Sequence, residues 1–226
     1  MAHFVSVVIP TFNESENIHQ AINGVKHEFQ EMGLRNYEII VVDKYSPDGT
    51  AEIAKRLGAK IVYCRQGKGA ALVKGLRLAR GDILVSMDAD LSNEPKELRL
   101  LIDAIDIGYD VCLGSRFITG GGSEDMPVIR VLGNKFFVML VNVLFHAHYT
   151  DMCYGYRSFS KHAFRKLNLD EKGFGIETEM NIKIAKAKLK ATEVPSYEKK
   201  RAHGAAKLNT LRDGYIILST ILRNLF

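Results

Sequence analysis

Along its first half the chain alternates short apolar runs with longer stretches in which apolar residues recur every three or four positions. Phe4–Ile9, Glu38–Val42, Lys60–Tyr63, Ile83–Met87 and Val111–Leu113 are rich in Val, Ile and Leu and read as strands. Between them, Ser15–Met32, Pro47–Leu57, Gly69–Ala79 and Pro95–Ile107 carry helical patterns. This alternation predicts an α/β fold, a mostly parallel sheet with helices on both faces. Runs as continuously apolar as Ile83–Val85 suit strands buried on both sides. Ligands of such sheets bind beyond the carboxyl ends of the strands. There the sequence turns polar, at Thr11–Glu14, Asp43–Ser46, Asp88–Asp90 and Gly114–Arg116.

After Arg116 the rhythm changes. Ile118–Asp125 has the composition of a flexible loop, long enough for a lid. Helices are expected over Val128–Phe145 and Ile176–Ala187, a strand over Ala191–Pro195 and a last helix from about Lys207. In that helix Leu208, Leu211, Tyr215, Leu218, Leu222 and Leu225 share one face, widened by Ile216, Ile217, Ile221 and Phe226. It suits a helix packed on the domain, or one lying on a bilayer surface with Arg212 and Arg223 near the headgroups. No repeat, low-complexity tract or linker interrupts the chain, which predicts one domain over residues 1–226.

Composition changes this picture little. With 226 residues, 46% hydrophobic and 25% charged, the chain has the size and make-up of one α/β domain. No leader is evident at the N-terminus. The longest apolar stretch, Phe136–Phe145, is about half of what a spanning helix needs, so the expected location is cytoplasmic. Cys64, Cys112 and Cys153 are odd in number and widely spaced, as expected of reduced, buried thiols. Lys and Arg number 31 against 26 Asp and Glu, a formal charge of +5. The excess gathers after Lys183 and suggests an anionic partner. Those basic residues are not interleaved with stacking aromatics, so no nucleic-acid partner is expected.

The chemistry concentrates in VSMDADLSNEP (85–95). Ser92, Asn93 and Pro95 suit a cap and first helical turn, but that does not account for Asp88 and Asp90. Two carboxylates at a strand end repel unless a cation lies between them, and a divalent metal such as Mg²⁺ or Mn²⁺ on one or two carboxylates plus phosphate oxygens meets that need. Other phosphate chemistries fit less well. The first strand runs into Pro10–Glu14 with no glycine before Gly24, against a dinucleotide fingerprint. The GKG at 67–69 lacks the spacing of a P-loop, and the early glycine-rich loop of sugar-phosphate nucleotidyltransferases is missing. A metal at Asp88 and Asp90, a lid and scattered Arg and Lys suit instead a departing diphosphate.

The motifs go further. VVIPTFNESENI, VVDKYSPDGT, GKGAALVKG and MDADLSNEP, in this order, resemble the family 2 inverting glycosyltransferases of the GT-A fold, over nearly the whole chain. GSRFITGGGSEDMPVIRVLGN, TDMCYGYRSF, GFGIETEMNIKIAKAK and RAHGAAKLNTLRDG are similar to the polyprenyl- and dolichyl-phosphate sugar synthases. The resemblance implies a nucleotide-binding part over residues 1–116 and an acceptor-binding part over 117–226. It implies a nucleotide-sugar donor on Pro10, Phe12, Glu14, Asp43, Lys44, Lys68, Asp88, Ala89 and Asp90, with UDP or GDP left open. Mg²⁺ or Mn²⁺ would sit on Asp88 and Asp90, with Ser92 where a third ligand often falls. Arg116, Asp151 and Glu177 join Asp90 as the catalytic set, and Arg130, Arg157, Arg201 and Lys207 would take the acceptor phosphate.

Lys44 stands where the family usually has a second Asp, and Ser92-Asn93 where mannose synthases usually have Gln-His. The implied acceptor is polyprenyl or dolichyl phosphate, ionised near neutral pH, so attack needs no general base. Transfer to a saccharide hydroxyl would need one, from Asp151 or Glu177; a non-catalytic sugar-nucleotide-binding module is the other reading. The implied location is the cytoplasmic face of a membrane, reached directly or through a membrane-anchored partner subunit.

Overall fold

The computed structural model describes residues 3–124, 126–203 and 210–225, without the Leu211 side chain. Asp125, Lys207, Leu208 and Phe226, all singled out above, lie outside the described residues.

The central sheet has seven strands: β1 (Val5–Thr11), β2 (Tyr37–Asp43), β3 (Lys60–Tyr63), β4 (Ile83–Ser86), β5 (Val111–Ser115), β7 (Arg157–Ser160) and β8 (Ala191–Pro195). Their order is β3-β2-β1-β4-β7-β5-β8, and all pairings are parallel except those of β7 with β4 and β5. The residues alternate between two cores. Val5, Val7 and Ile9 face one side with Ile39, Val41 and Val85, covered by α1 (Ile18–Glu31) and α4 (Leu98–Asp106) and touched by α2 (Thr50–Arg56). Val8, Ile40, Val42 and Leu84 face the other, under α3 (Lys68–Leu78), α6 (Lys161–Lys166) and α7 (Ile176–Lys186). Two-sided burial is why these strands read as unbroken apolar runs. Gly75 lets α3 lie close on the sheet: a Cβ there would come within 2.4 Å of Val8 and 2.7 Å of Val42.

Nine of the expected elements appear with ends moved by a few residues, the last helix is described from Thr210, and three match in full: Lys60–Tyr63, α5 (Val128–Phe145) and β8. Four were not foreseen. β7 and α6 come from TDMCYGYRSF and its sequel, where short polar composition hides the strand. β6 (Gly122–Ser123) and β9 (Tyr197–Glu198) pair with each other. That pairing corrects the expected free lid: Gly122 N–H donates to the Ser196 carbonyl, Glu124 N–H to the Glu198 carbonyl, and Ser123 Oγ to Glu198 Oε2.

Two further expectations change. Cys153 is exposed, whereas Cys64 and Cys112 are buried. The ten-residue apolar stretch also belongs to a longer helix, because Gly133, Asn134 and Lys135 do not interrupt α5. At 18 residues α5 is long and apolar enough to cross a membrane by length and composition, and only 11% of it is buried. Val128, Ile129, Leu132, Phe136, Met139 and Val143 are exposed along it. α8 (Thr210–Arg223) packs beside α5 and α7. The reading of a helix packed on the domain holds for Ile217 and Ile221, which enter the core, while Tyr215, Leu218 and Leu222 stay exposed.

Candidate active site

Parallel register brings Thr11, Asp43, Tyr63 and Ser115 to one edge of the sheet, with Asp88–Asp90 just beyond β4. Non-glycine residues with left-handed backbone follow three of these strands: Asn13 (φ 54°), Tyr45 (φ 58°) and Leu91 (φ 66°). Such conformations are costly for L-residues and concentrate where a site dictates the turn.

The electrostatics of this edge have one recurring unit, a cation bridging two carboxylates. Lys68 Nζ, at the start of α3, lies 3.0 Å from Asp88 Oδ1 and 3.1 Å from Glu177 Oε1. Burial opposes its charge, but the Asp88 and Glu177 carboxylates outweigh that and hold the ammonium above the ordinary lysine range. Gly155 makes room for this trio. A Cβ at Gly155 would stand 3.3 Å from Asp88 Oδ2, 3.4 Å from Glu177 Oε1 and 3.5 Å from Lys68 Nζ.

In the second unit Arg116 grips Asp151 through Nε (2.7 Å) and Nη2 (2.9 Å), and reaches Glu198 Oε2 through Nη1 (3.0 Å). Both Arg116 and Asp151 are buried, and the carboxylates overcome the desolvation that opposes the guanidinium charge. In the third, Arg201 Nη2 lies 2.6 Å from Asp90 Oδ2 and Nη1 lies 3.4 Å from Glu14 Oε1.

The sequence-predicted donor residues thus converge, with altered roles for some. Asp43 is fully buried and accepts hydrogen bonds from Thr11 Oγ1, Ser46 N–H and Ser46 Oγ, so it shapes the turn after β2. Lys44 Nζ sits 5.0 Å from the centre of the Phe12 ring, at the same end of β1 and β2. Pro10 lies in β1, Glu14 accepts from Asn17 Nδ2, and Ala89 is buried between the two Asp residues. Ser92 does not present a free hydroxyl: its Oγ donates to Asp90 Oδ1 at 2.6 Å and orients that carboxylate.

Arg157 departs most from expectation. It is buried, with Nη1 donating to Asn181 Oδ1 and the Glu177 carbonyl, and Nη2 to the Tyr154 carbonyl. Desolvation lowers its pKa, and its place in the core corrects the assignment to an acceptor phosphate. Arg130, on the first turn of α5, donates from Nε to Thr210 Oγ1 at 3.4 Å.

Three residues were missed. Asn93 Oδ1 accepts from Asp88 N–H and its Nδ2 donates to Tyr154 Oη, which meets Ser196 Oγ, itself bonded to Glu97. The Tyr154 ring lies under the Arg116 guanidinium at 4.7 Å. This buried chain ties the Asp88 turn to the end of β8. Asn93 and Tyr154 sit in quoted motifs, but Ser196 has no sequence signal, because only the strand order brings β8 to this edge.

Among the described residues no three His, Cys, Asp or Glu side chains gather around one point. Asp88 and Asp90 supply hard oxygen donors from two side chains, fewer than a self-contained cage needs. That incomplete set fits Mg²⁺ or Mn²⁺ completed by phosphate oxygens and water.

The sequence profile of Glycosyl transferase family 2 matches residues 6–167, which include β1, the Asp88–Asp90 turn and β7. The chain belongs to glycosyl transferase family 2. Within the family, it is 37% identical over 212 residues to the dolichol-phosphate mannosyltransferase of Pyrococcus furiosus, covering 90% of this chain and 59% of that one. It is 32% identical to the polyprenol monophosphomannose synthase of Mycolicibacterium smegmatis, covering 90% of this chain and 80% of that one. The chain therefore spans little more than half of the first relative and most of the second. A structure of glucosyl-3-phosphoglycerate synthase from Mycobacterium tuberculosis, with Mn²⁺, UDP and glucosyl-3-phosphoglycerate, superposes with a TM-score of 0.77 at 22% identity. It covers 99% of this chain and 80% of that one, and shows the shared GT-A fold. The matched residues 6–167 take in the polar strand ends at Asp43 and Asp88–Asp90.

Proposed function

We propose that the protein transfers a hexosyl group from a nucleotide-sugar to a polyprenyl or dolichyl phosphate, with inversion at the anomeric carbon. The relatives named for dolichol- and polyprenol-phosphate mannose transfer support the acceptor class. The observation that carries it is the state of the two candidate bases. Asp151 is held by Arg116 and Glu177 by Lys68, so neither is poised to deprotonate a hydroxyl. A phosphate acceptor needs no deprotonation, and this favours it over a saccharide hydroxyl. Its oxygen attacks the anomeric carbon as the bond to the nucleoside diphosphate breaks, and the leaving group departs from the opposite face.

In this reading Asp88 and Asp90 hold Mg²⁺ or Mn²⁺, which supplies charge neutralisation at the donor diphosphate. Ser92 orients Asp90, and Asn93 holds the Asp88 turn. Lys68 adds positive charge to the donor side, Phe12 and Lys44 flank the nucleoside, and Arg130 and Arg201 meet the acceptor phosphate. The enzyme's main task is to bring two anions together. Incubation with labelled UDP- or GDP-hexose should move label into the organic phase with polyprenyl phosphate, and not into water-soluble saccharides. Label found only on a soluble saccharide would overturn the acceptor assignment. Arg130→Ala is expected to raise KM for polyprenyl phosphate about ten-fold, as for a lost charged hydrogen bond, with a smaller change for the sugar nucleotide. Equal changes for both substrates would remove Arg130 from the acceptor site.

The same reading places α5 and α8 at a bilayer surface on the cytoplasmic side. α5 is fastened to the domain, with Asn134 Oδ1 accepting from Met152 N–H and Asn142 pairing with the Tyr149 backbone. A helix so tied suits a position along the interface better than one across the bilayer. Truncation before Tyr215 would also remove Ile217 and Ile221 from the core, so exposed positions make the cleaner test. Ile129→Asp with Met139→Asp should weaken binding to anionic vesicles, read by sedimentation, by about 100-fold or more, because burying each such side chain contributes roughly 1.5–3 kcal/mol, and should leave the melting temperature unchanged. Undiminished sedimentation would place the contact elsewhere or on a partner subunit.

A further inference from the structure

Residues 197–203 cross the mouth of the site. β9 pairs with β6, Lys199 N–H donates to the Ser92 carbonyl at 3.0 Å, and Asn17 Nδ2 donates to the His203 carbonyl at 3.3 Å. Lys200 N–H reaches Glu124 Oε2. The strap is thus hydrogen-bonded to the turns after β1 and β4. At its centre the Arg201 guanidinium takes Asp90 Oδ2 at 2.6 Å, while Ser92 holds Oδ1. Both oxygens of Asp90 are engaged, one by a hydroxyl and one by a full positive charge. The Arg201 and Asp90 side chains keep only 19% and 14% of their exposure, so the pair is weakly screened.

We propose that Arg201 is a latch on Asp90, competing with the divalent cation for the same carboxylate oxygen, so that the cation's arrival releases Arg201 toward the acceptor phosphate. The inference rests on the reading of Asp90 as a cation ligand. A divalent cation on Oδ2 would repel a guanidinium held 2.6 Å from the same oxygen, so cation binding weakens the Arg201 contact. The Glu14 contact, at 3.4 Å, is the weaker of its two and does not hold it as firmly. Release turns a guanidinium neutralised by two carboxylates into a donor fork suited to a phosphate. Cation binding and acceptor binding then favour each other, and linkage makes that coupling reciprocal. The latch also keeps Asp88 and Asp90 from facing each other as bare charges before the donor arrives, with Lys68 serving Asp88 in the same way.

The test is Mn²⁺ binding, read by electron paramagnetic resonance with the metal alone and with UDP or GDP, so that turnover plays no part. Arg201→Gln should bind Mn²⁺ about three- to ten-fold tighter than wild type, as expected when a charged hydrogen bond no longer competes. Lys199→Gln removes the same charge from the same strap, where Lys199 pairs with Glu94 rather than Asp90, and should bind Mn²⁺ as wild type does. That contrast separates a latch from a general field effect. If Arg201→Gln is unchanged, or the two variants tighten equally, while Asp90→Asn loses Mn²⁺, the latch is overturned and the cation assignment stands. If wild type binds no Mn²⁺ with either nucleotide, the cation assignment fails and the latch fails with it. Thermal melting of each variant confirms that a folded protein is being compared.

Discussion

Asp90→Ala is expected to lower kcat/KM by about 100-fold or more, the scale seen when a preorganised electrostatic contact to developing charge is removed. The protein should stay folded. Asp90 lies beyond the last residue of β4, keeps 14% of its side-chain exposure and contacts Ser92 and Arg201 rather than the core. Its loss leaves Arg201 with Glu14 and water, and Ser92 with water. Asp90→Asn should lose nearly as much activity although it keeps the shape, because the missing quantity is charge. Steady-state kinetics with Mg²⁺ or Mn²⁺ supplied, beside a thermal melt, check both halves. Near-normal turnover in Asp90→Ala would end the cation assignment.

The second large effect falls on stability. Asp151→Ala should destabilise the protein by about 3–5 kcal/mol, the cost of leaving one partner of a buried ion pair uncompensated. For a chain of this size that is a melting point lower by about 10 °C or more. Arg116 retains 6% of its side-chain exposure and Asp151 1%, so the remaining guanidinium cannot recover hydration. Of its two carboxylates it would keep Glu198, itself 20% exposed. Replacing both partners, as Arg116→Met with Asp151→Leu, should recover much of the loss, since an apolar pair of similar volume avoids the unpaired charge. A melt of Asp151→Ala within about 2 °C of wild type would show that the pair does not hold this part of the fold. The double variant should still lose transfer activity, because the cation of that unit is gone.

The two effects divide the site into residues placed for chemistry and residues that build the walls. Sequence alone does not make that division. Arg116, Arg157 and Arg201 look alike in their motifs. In the fold Arg157 is enclosed by the Tyr154, Glu177 and Asn181 oxygens, Arg116 is locked by two carboxylates, and Arg201 bridges Asp90 and Glu14 at the half-buried rim.

Local patterning by itself determined the α/β architecture. Strands buried on both faces must be continuously apolar, and helices covering them must be apolar on one stripe, so both leave periods that a reader can see. The convergence of the polar strand ends was legible for the same reason: polar residues directly after apolar runs mark strand ends, and parallel strands put those ends on one edge. Asp88 and Asp90 were legible as a pair because nothing in a cap or turn calls for them.

Tertiary structure decided the rest. β7 is four residues of mixed polarity, and it becomes a central strand only because β4 and β5 offer it unpaired edges on both sides. The supposed lid is held by β9, which lies about 75 residues further along the chain. α5 carries no periodic break to show which face is buried, and only packing against α7 and α8 leaves its apolar length outside. The pairing of each cation with its carboxylates joins residues as far apart as Glu14 and Arg201. A charge pair leaves no periodic trace in sequence, because Coulomb attraction depends on distance in space and not on separation along the chain.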